Sequence, residues 1–254
     1  MAESNTVPWC VWTTVILLWT WEAGCDTQHQ AEEVELFHSD KQSRLEWTSD
    51  PPRQWTEVRL RVGTQSRVPV LQACGKSIRR TVMSQWMERK DAHHLLMDLS
   101  FTQEEEPSSQ LGPLQVHLFD SNTPLPRFQY GWKVLDLQTS SPFPVTVTPN
   151  QISSHMNRSV ALSLGPVSLR GFQLAFSYSG ACVLLASIRL YYRRCPDIVA
   201  HLALFNGTGA LSGPLMGSCV KGAVEVSPPV RECTVDGVWG PLQGDALVNP
   251  GDKS

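Results

Sequence analysis

The sequence is poor in the features that identify enzymes, metal-binding proteins and nucleic-acid-binding proteins. Charged residues make up only 18% of its 254 residues and the formal net charge is −3, so no basic excess indicates a nucleic-acid partner. The seven histidines form neither a pair at i,i+4 nor a zinc-type grouping with cysteine, and we expect no metal and no cofactor. Gly75-Lys76-Ser77 ends like a phosphate-binding loop, but Val70 occupies the position of its required earlier glycine. These absences favour a binding protein over an enzyme.

Long hydrophobic runs are also scarce. Val7 to Trp21 is apolar but short for a bilayer span, and its place at the N-terminus predicts a signal peptide over residues 1–25, with a membrane anchor as the alternative. The basic residue typical of a signal peptide is missing there. Because no later run reaches roughly 18 apolar residues, we expect a secreted or extracellular product with no membrane span in this chain.

An extracellular location changes how the cysteines are interpreted, because cysteine pairs become cross-links in an oxidising compartment. Five cysteines follow residue 25, namely Cys74, Cys182, Cys195, Cys219 and Cys233. Five is an odd number, so one thiol lacks a partner within the chain. Two sequons, at Asn157 and Asn206, predict N-glycosylation and agree with secretion.

Apolar residues alternate along many short segments, which predicts an all-β sandwich. The helical signal is weak, because 18 prolines and 17 glycines are scattered through the chain. After Pro196 the composition changes to Gly, Ser, Pro and Cys, and such a segment needs cross-links to hold a shape. Residues 240–254 carry neither a strand pattern nor a cysteine and are predicted to form a disordered tail. The clearest alternations are Val58-Leu60-Val62, Leu114-Val116-Leu118, Val160-Leu162-Leu164 and Phe172-Leu174-Phe176.

The segment from Gly165 to Pro196 resembles the end of the ligand-binding domain of Eph receptors, the ephrin receptor tyrosine kinases. The resemblance implies a galactose-binding-like jelly-roll β-sandwich over residues 32–194, followed by a partial sushi-like, Cys-rich module over residues 195–239. The matching residues are Gly165, Pro166, Ser168, Gly171, Phe172, Leu174, Ala175, Phe176, Gly180, Ala181, Cys182, Ser187, Arg189, Tyr191, Tyr192, Cys195 and Pro196.

The resemblance also implies the cysteine pairing. In the family, the cysteines that correspond to Cys74 and Cys182 are joined beside the channel that accepts a loop of the ephrin. Sushi-like modules pair their first cysteine with their third, which implies a bond from Cys195 to Cys233. Their second cysteine pairs with a fourth, which is absent here, so Cys219 is expected to remain unpaired.

Six residues are implied as the ephrin-binding site. Leu184 stands where the family usually has alanine, so we expect a narrower or occluded channel. His94 stands where an arginine commonly meets an ephrin acid, and histidine is mostly neutral at pH 7. We therefore expect weaker ephrin binding that strengthens as the pH falls. The six residues are Gln72, Cys74, His94, Cys182, Leu184 and Leu185.

The implied function is binding of A- or B-class ephrins on apposed cells, either by a soluble truncated head or within a full-length receptor at the plasma membrane. Full-length Eph receptors are further candidate partners, and such a receptor would carry a cytoplasmic tyrosine kinase. Two alternatives remain open. One is a carbohydrate-binding jelly-roll module, and the other is a degenerate structural ectodomain whose channel is closed by Leu184 and Pro142.

Overall fold

A computed structural model describes residues 31–61, 67–75, 78–105, 112–128, 132–148 and 151–248. Their regular structure consists of nineteen strands and two short 3-10 helices, Ser39–Lys41 and Ile152–His155. The described residues contain no α-helix and thus no helix that could cross a membrane. The predicted signal peptide over residues 1–25 lies outside the described residues.

The strands are numbered in chain order. The first ten are β1 (Glu32–His38), β2 (Thr48–Asp50), β3 (Thr56–Arg61), β4 (Arg67–Cys74), β5 (Arg80–Met83), β6 (Met87–Glu88), β7 (His94–Gln103), β8 (Leu114–Ser121), β9 (Trp132–Leu137) and β10 (Asn157–Pro166). The others are β11 (Gly171–Tyr178), β12 (Cys182–Cys195), β13 (Ile198–Ala200), β14 (Ala203–Phe205), β15 (Thr208–Gly209), β16 (Pro214–Met216), β17 (Ser218–Cys219), β18 (Ala223–Glu232) and β19 (Gln243–Val248).

Two large antiparallel sheets form the main body. The first has the order β10-β7-β12-β4-β3, and β1 and β15 add to β12. The second has the order β2-β5-β11-β8-β9, and β6 adds to β11. Leu71, Phe101 and Val183 of the first sheet share one buried cluster with Val116 and Phe176 of the second, so the core lies between the two sheets. The predicted all-β sandwich class is confirmed.

Strand β12 organises the first sheet because its fourteen residues pair with four other strands. Its side chains alternate between the two faces of the sheet, so Val183 and Leu185 enter the core while Cys182 and Leu184 lie on the outer face. The outer face is also apolar near the start of β12. Because the second sheet covers only the inner face, this outer apolar surface needs a cover of its own.

The cysteine-containing module begins where β12 ends. Strand β15 pairs with Arg194 and Cys195, and the Trp239 indole Nε1–H donates to the Pro196 carbonyl at 2.8 Å. A disulfide joins Cys195 to Cys233, and Cys219 is a free cysteine. Two small three-stranded sheets, β13-β14-β17 and β16-β18-β19, complete the module.

The prediction of a disordered tail over residues 240–254 is wrong for its central part. Residues Gln243–Val248 form β19, which pairs antiparallel with β18 from Ala223↔Val248 to Val230↔Gln243. The segment has no marked alternation, but it satisfies the backbone hydrogen bonds along one side of β18, and Ala246 is buried. Residues 249–254 lie outside the described part of the chain.

Candidate functional site

The start of β12 and the end of β4 bring four of the predicted site residues together. Cys182 lies directly opposite Cys74, and Leu184 lies opposite Gln72. A disulfide joins Cys74 to Cys182 across the two strands. Because directly opposed residues of an antiparallel pair project from the same face, these four side chains form one patch on the outer face of the first sheet.

An apolar cluster surrounds this patch. Leu184 is 3% exposed and Cys182 is 7% exposed, and Phe143, which is 5% exposed, belongs to the same cluster. Gln72 is half-buried and Cys74 is exposed. Solvent therefore reaches the rim of the patch at Gln72 and Cys74, while Leu184 forms a covered floor. The other members of the cluster are Val58, Leu60, Val68, Val70, Val147, Ile152, Met156 and Ala186.

The cover over this floor lies between β9 and β10. It consists of residues 139–148 and 151–156, which include the 3-10 helix Ile152–His155, and we call it the cover segment. Backbone hydrogen bonds fasten it at Phe143, whose N–H donates to Gln103 O at 2.9 Å and whose carbonyl accepts from Glu105 N at 2.9 Å. The buried Gln103 side chain adds a second fastening, because its Oε1 accepts from Thr139 N at 2.8 Å and its Nε2 donates to Gly112 O at 2.9 Å.

Leu185 does not belong to the patch. It is 1% exposed and packs in the core between the two sheets. Consecutive residues of a strand point to opposite faces, so Leu184 and Leu185 cannot both line one groove. The structure thus separates Leu185 from the other predicted site residues of β12 and places it in the core beneath the patch.

His94 lies far from the other predicted site residues, at the opposite end of β7 from the disulfide. Strand β7 runs antiparallel to β12, so Gln103 lies opposite Val183, whereas Leu96 lies opposite Tyr191. His94 is thus about nine residues, or roughly 30 Å, along β7 from the disulfide end. Its imidazole Nε2 is 2.8 Å from Ser163 Oγ on β10, and burial lowers the pKa of His94 below its ordinary value of 6.5. His94 therefore lies at the opposite end of β7 from Gln72 and Cys74.

The half of the outer face towards the end of β12 is charged instead of apolar. Arg189 forms ion pairs with Asp98 at 3.1 Å and with Glu33 at 2.8 Å. Its guanidinium carbon lies 4.1 Å from the centre of the Tyr191 ring. Burial, together with the Asp98 carboxylate, raises the pKa of Tyr191 to about 12. This network occupies the outer face beyond the apolar patch, so the apolar surface is confined to the disulfide end.

Two further residues shape the patch and were not identified from the sequence. Arg80 is fully buried and donates from one terminal nitrogen to the carbonyls of Gly180 and Ala181, the latter at 3.4 Å, so it holds the turn that leads into Cys182. Burial lowers the pKa of Arg80 from its ordinary value. Glu104 donates its N–H to Cys182 O at 2.9 Å and thereby places a half-buried carboxylate residue beside the disulfide.

Of the two predicted glycosylation sites, Asn157 adjoins the cover segment and Asn206 lies in the cysteine-containing module. Asn157 is half-buried at the start of β10, where its Oδ1 accepts from Ser140 Oγ at 3.1 Å. Asn206 is exposed in the turn before β15. Within the described residues, no group of three or more His, Cys, Asp or Glu side chains is arranged to hold a metal ion.

Comparison with protein families gives two matches along the chain. The model of the ephrin receptor ligand binding domain matches residues 143–195, and the model of the ephrin cysteine rich domain matches residues 196–245. The first match includes Phe143, Cys182 and Leu184, and the second includes Cys219 and Cys233. Neither matched model is a kinase domain.

Curated relatives agree with these matches. The chain is 28% identical to human Ephrin type-A receptor 5 over 213 residues, covering 77% of this chain and 20% of that receptor. It is 29% identical to Ephrin type-A receptor 4-B of Xenopus laevis over 243 residues, covering 88% of this chain and 24% of the relative. Human Ephrin type-B receptor 3 is 28% identical over 226 residues, covering 78% of this chain and 21% of the receptor. The chain therefore spans only a fifth to a quarter of the length of these relatives. The family matches and these relatives together support an Eph receptor ligand-binding domain followed by the family's cysteine-rich region.

Proposed function

We propose that this chain binds ephrins at the patch formed by Gln72, Cys74, Cys182 and Leu184. The observation that carries the proposal is the cross-strand pair of Cys74 and Cys182, which fixes two strands beside an apolar floor on the outer face of the first sheet. Ligand sites of this kind combine apolar walls, which supply affinity, with a few polar groups that fix orientation. Gln72 supplies such a polar group at the accessible rim.

The cover segment determines how deep a ligand loop can reach. Phe143 lies over the floor that Leu184 forms, so a ligand loop binds either on the rim or after the cover segment has moved outward. Moving this segment exposes apolar surface and costs about 25 cal/mol for each Å² that the ligand does not cover again. We therefore expect weaker ephrin binding than in a receptor with an open channel, and the cause is the packing of the floor and not the charge of His94.

The test is binding of the secreted chain to an immobilised panel of A- and B-class ephrins. Gln72→Ala should weaken binding, because it removes a polar contact at the rim. The matched control is Val160→Ala, since Val160 is an exposed residue on β10 at the far edge of the same sheet. Equal binding by the two variants, or the absence of binding to every ephrin, would overturn the proposal.

A second candidate is a structural ectodomain with a closed channel, and the burial of Leu184 and Phe143 favours it. The variant Phe143→Ala separates the two candidates because it removes the ring above the floor. If the wild-type chain binds no ephrin and Phe143→Ala restores binding, the chain is a closed receptor head. If neither form binds, this patch has lost the family's ligand site.

A soluble ephrin-binding head would compete with full-length receptors for ephrins, or would activate the ephrin-bearing cell without signalling in its own cell. Addition of the secreted chain to cells that carry ephrin and receptor should then lower receptor phosphorylation. A membrane-anchored product of the same sequence would not show this effect in conditioned medium.

A further inference from the structure

A cleft of about 400 Å³ lies outside the proposed ephrin-binding patch. One wall is formed by residues 42–47, which lead into β2, and the other by residues 84–87, which join β5 to β6. Its size falls within the range of small-molecule sites. Five apolar residues line it, namely Phe37, Leu45, Trp47, Trp86 and Met87. Met87, at the cleft, pairs with Phe172 of β11. Arg80, which binds the turn before Cys182, pairs with Tyr178, six residues further along the same strand. The cleft is therefore roughly 20 Å from the disulfide end of the sandwich.

Trp86 is held rigidly in one wall of the cleft. Its indole Nε1–H lies 3.2 Å from Ser121 Oγ and 3.4 Å from Ser121 O. The ring packs so closely against Gly171 that any side chain at position 171 would collide with it. A ring fixed in this way loses little conformational entropy when a ligand contacts its free face.

Trp47 is held in the facing segment. Its ring stacks on Phe176 of the core with centroids 6.0 Å apart and an interplanar angle of 11°. It also contacts Phe37 at 5.9 Å. Both indoles are half-buried, so each is anchored on the protein side and contributes surface to the same cleft.

Polar groups of both kinds lie beside the two rings. Gln85 Nε2 donates to Glu46 Oε2 at 3.3 Å, which joins the two segments that form the cleft. Both side chains are exposed and therefore remain available to a ligand. One arginine, Arg44, and one glutamate, Glu46, are the charged residues that line the cleft, so it has no excess of either charge.

We propose that this cleft binds an uncharged sugar residue of a glycan. The aliphatic C–H groups of a pyranose ring carry a small positive charge and are attracted to the negative face of an indole. Its hydroxyls both donate and accept hydrogen bonds, which matches the amide of Gln85 and the carboxylate of Glu46. A charged ligand would lack a matching excess charge here, and a purely apolar ligand would leave these polar groups unpaired.

The test is a titration of the secreted chain with free galactose, mannose, fucose and N-acetylglucosamine, followed by NMR of the indole Nε1–H signals. At least one sugar should shift the signals of Trp47 and Trp86 at millimolar concentration, the affinity expected for one small polar ligand. Trp132 is 83% exposed and lies outside the cleft, so its signal should not move.

Single-residue variants then show which side chains of the cleft contact the sugar. Trp86→Ala should weaken sugar binding by about two- to tenfold, the range that corresponds to one aromatic contact. Because Trp86 also packs against Gly171, Gln85→Ala serves as a second variant at an exposed position and should weaken binding by a similar factor. Trp132→Ala is the control and should bind as the wild type does.

The source of the sugar is distinguished by a second arm, in which a glycoprotein is offered before and after enzymatic removal of its glycans. Binding of free sugars alone indicates a saccharide receptor, whereas binding that requires the intact glycoprotein indicates a glycan on a partner. The proposal is overturned if no sugar shifts Trp47 or Trp86, or if Gln85→Ala binds like the wild type. It is also overturned if the glycoprotein binds and binds equally well after its glycans are removed, because the polypeptide and not the sugar would then be recognised. Ephrin binding is measured on the same variants and should not change, so failure of one proposal leaves the other intact.

Discussion

Gln103→Ala should release the cover segment while leaving both sheets in place. The Gln103 side chain is fully buried and makes two hydrogen bonds, one from Thr139 N and one to Gly112 O. Each bond contributes about 1 kcal/mol net, and a buried N–H that loses its partner costs about 1–3 kcal/mol. Because Thr139 is buried, the free energy of unfolding should fall by about 2–4 kcal/mol.

Gln173 offers a matched control on the other side of the sandwich. It is also buried, accepts from Leu125 N at 2.7 Å and donates to Ser84 O at 3.1 Å. It therefore fastens the loop 122–128, which covers the outer face of the second sheet, as Gln103 fastens the cover segment on the first. Gln173→Ala should lower the free energy of unfolding by a similar amount without touching the proposed ephrin site.

Urea denaturation gives the two free energies, and amide hydrogen exchange shows where each variant opens. Exchange at Thr139 should accelerate in Gln103→Ala alone, and exchange at Leu125 should accelerate in Gln173→Ala alone. Ephrin binding should change only in Gln103→Ala. The reasoning is refuted if Thr139 stays as protected as in the wild type, or if the two variants alter ephrin binding equally.

Three further predictions concern single residues. Burial holds the pKa of His94 below 6.5, so the unfolded chain binds this proton more tightly, and the free energy of unfolding should fall as the pH drops below about 6.5. Urea titrations should show that His94→Gln flattens this decrease, and ephrin binding should be the same in His94→Arg as in the wild type. Alkylation of the unreduced chain should modify Cys219 and no other cysteine of the described residues, and a second adduct there would contradict the disulfide assignment. Asn157→Gln and Asn206→Gln should each remove one glycosidase-sensitive mass increment, and an unchanged mass would mean that the site is not glycosylated.

The fold class was predictable because the strongest strands carry a local pattern. Phe172, Leu174 and Phe176 alternate along β11 and all three face the core, as a period of two requires. Strand β19 was not predictable in this way. Its formation depends on the free side of β18, a partner that a local pattern does not reveal.

The site was only partly predictable for a similar reason. Gln72, Cys74, Cys182 and Leu184 meet because β4 and β12 pair in one register, and the family resemblance carried that information. The place of His94 was not predictable, because the direction of β7 relative to β12 decides which end of the strand approaches the disulfide. The separation of Leu185 from Leu184 follows from the strand geometry, which points neighbouring residues to opposite faces.

The apolar part of each outer face of the sandwich is covered by a connecting segment and not by a further strand. Leu125 and Phe128 pack on the small cluster of Met83, Phe119 and Ala175 on the second sheet, and the cover segment packs on the patch around Leu184. Segments with little sheet pairing, such as the cover segment with its single bridge at Phe143, have fewer cooperative hydrogen bonds than the strands and open at lower free energy. Access to the patch is therefore set by the fastening at Gln103 and Phe143, and the two sheets can stay folded while that access changes.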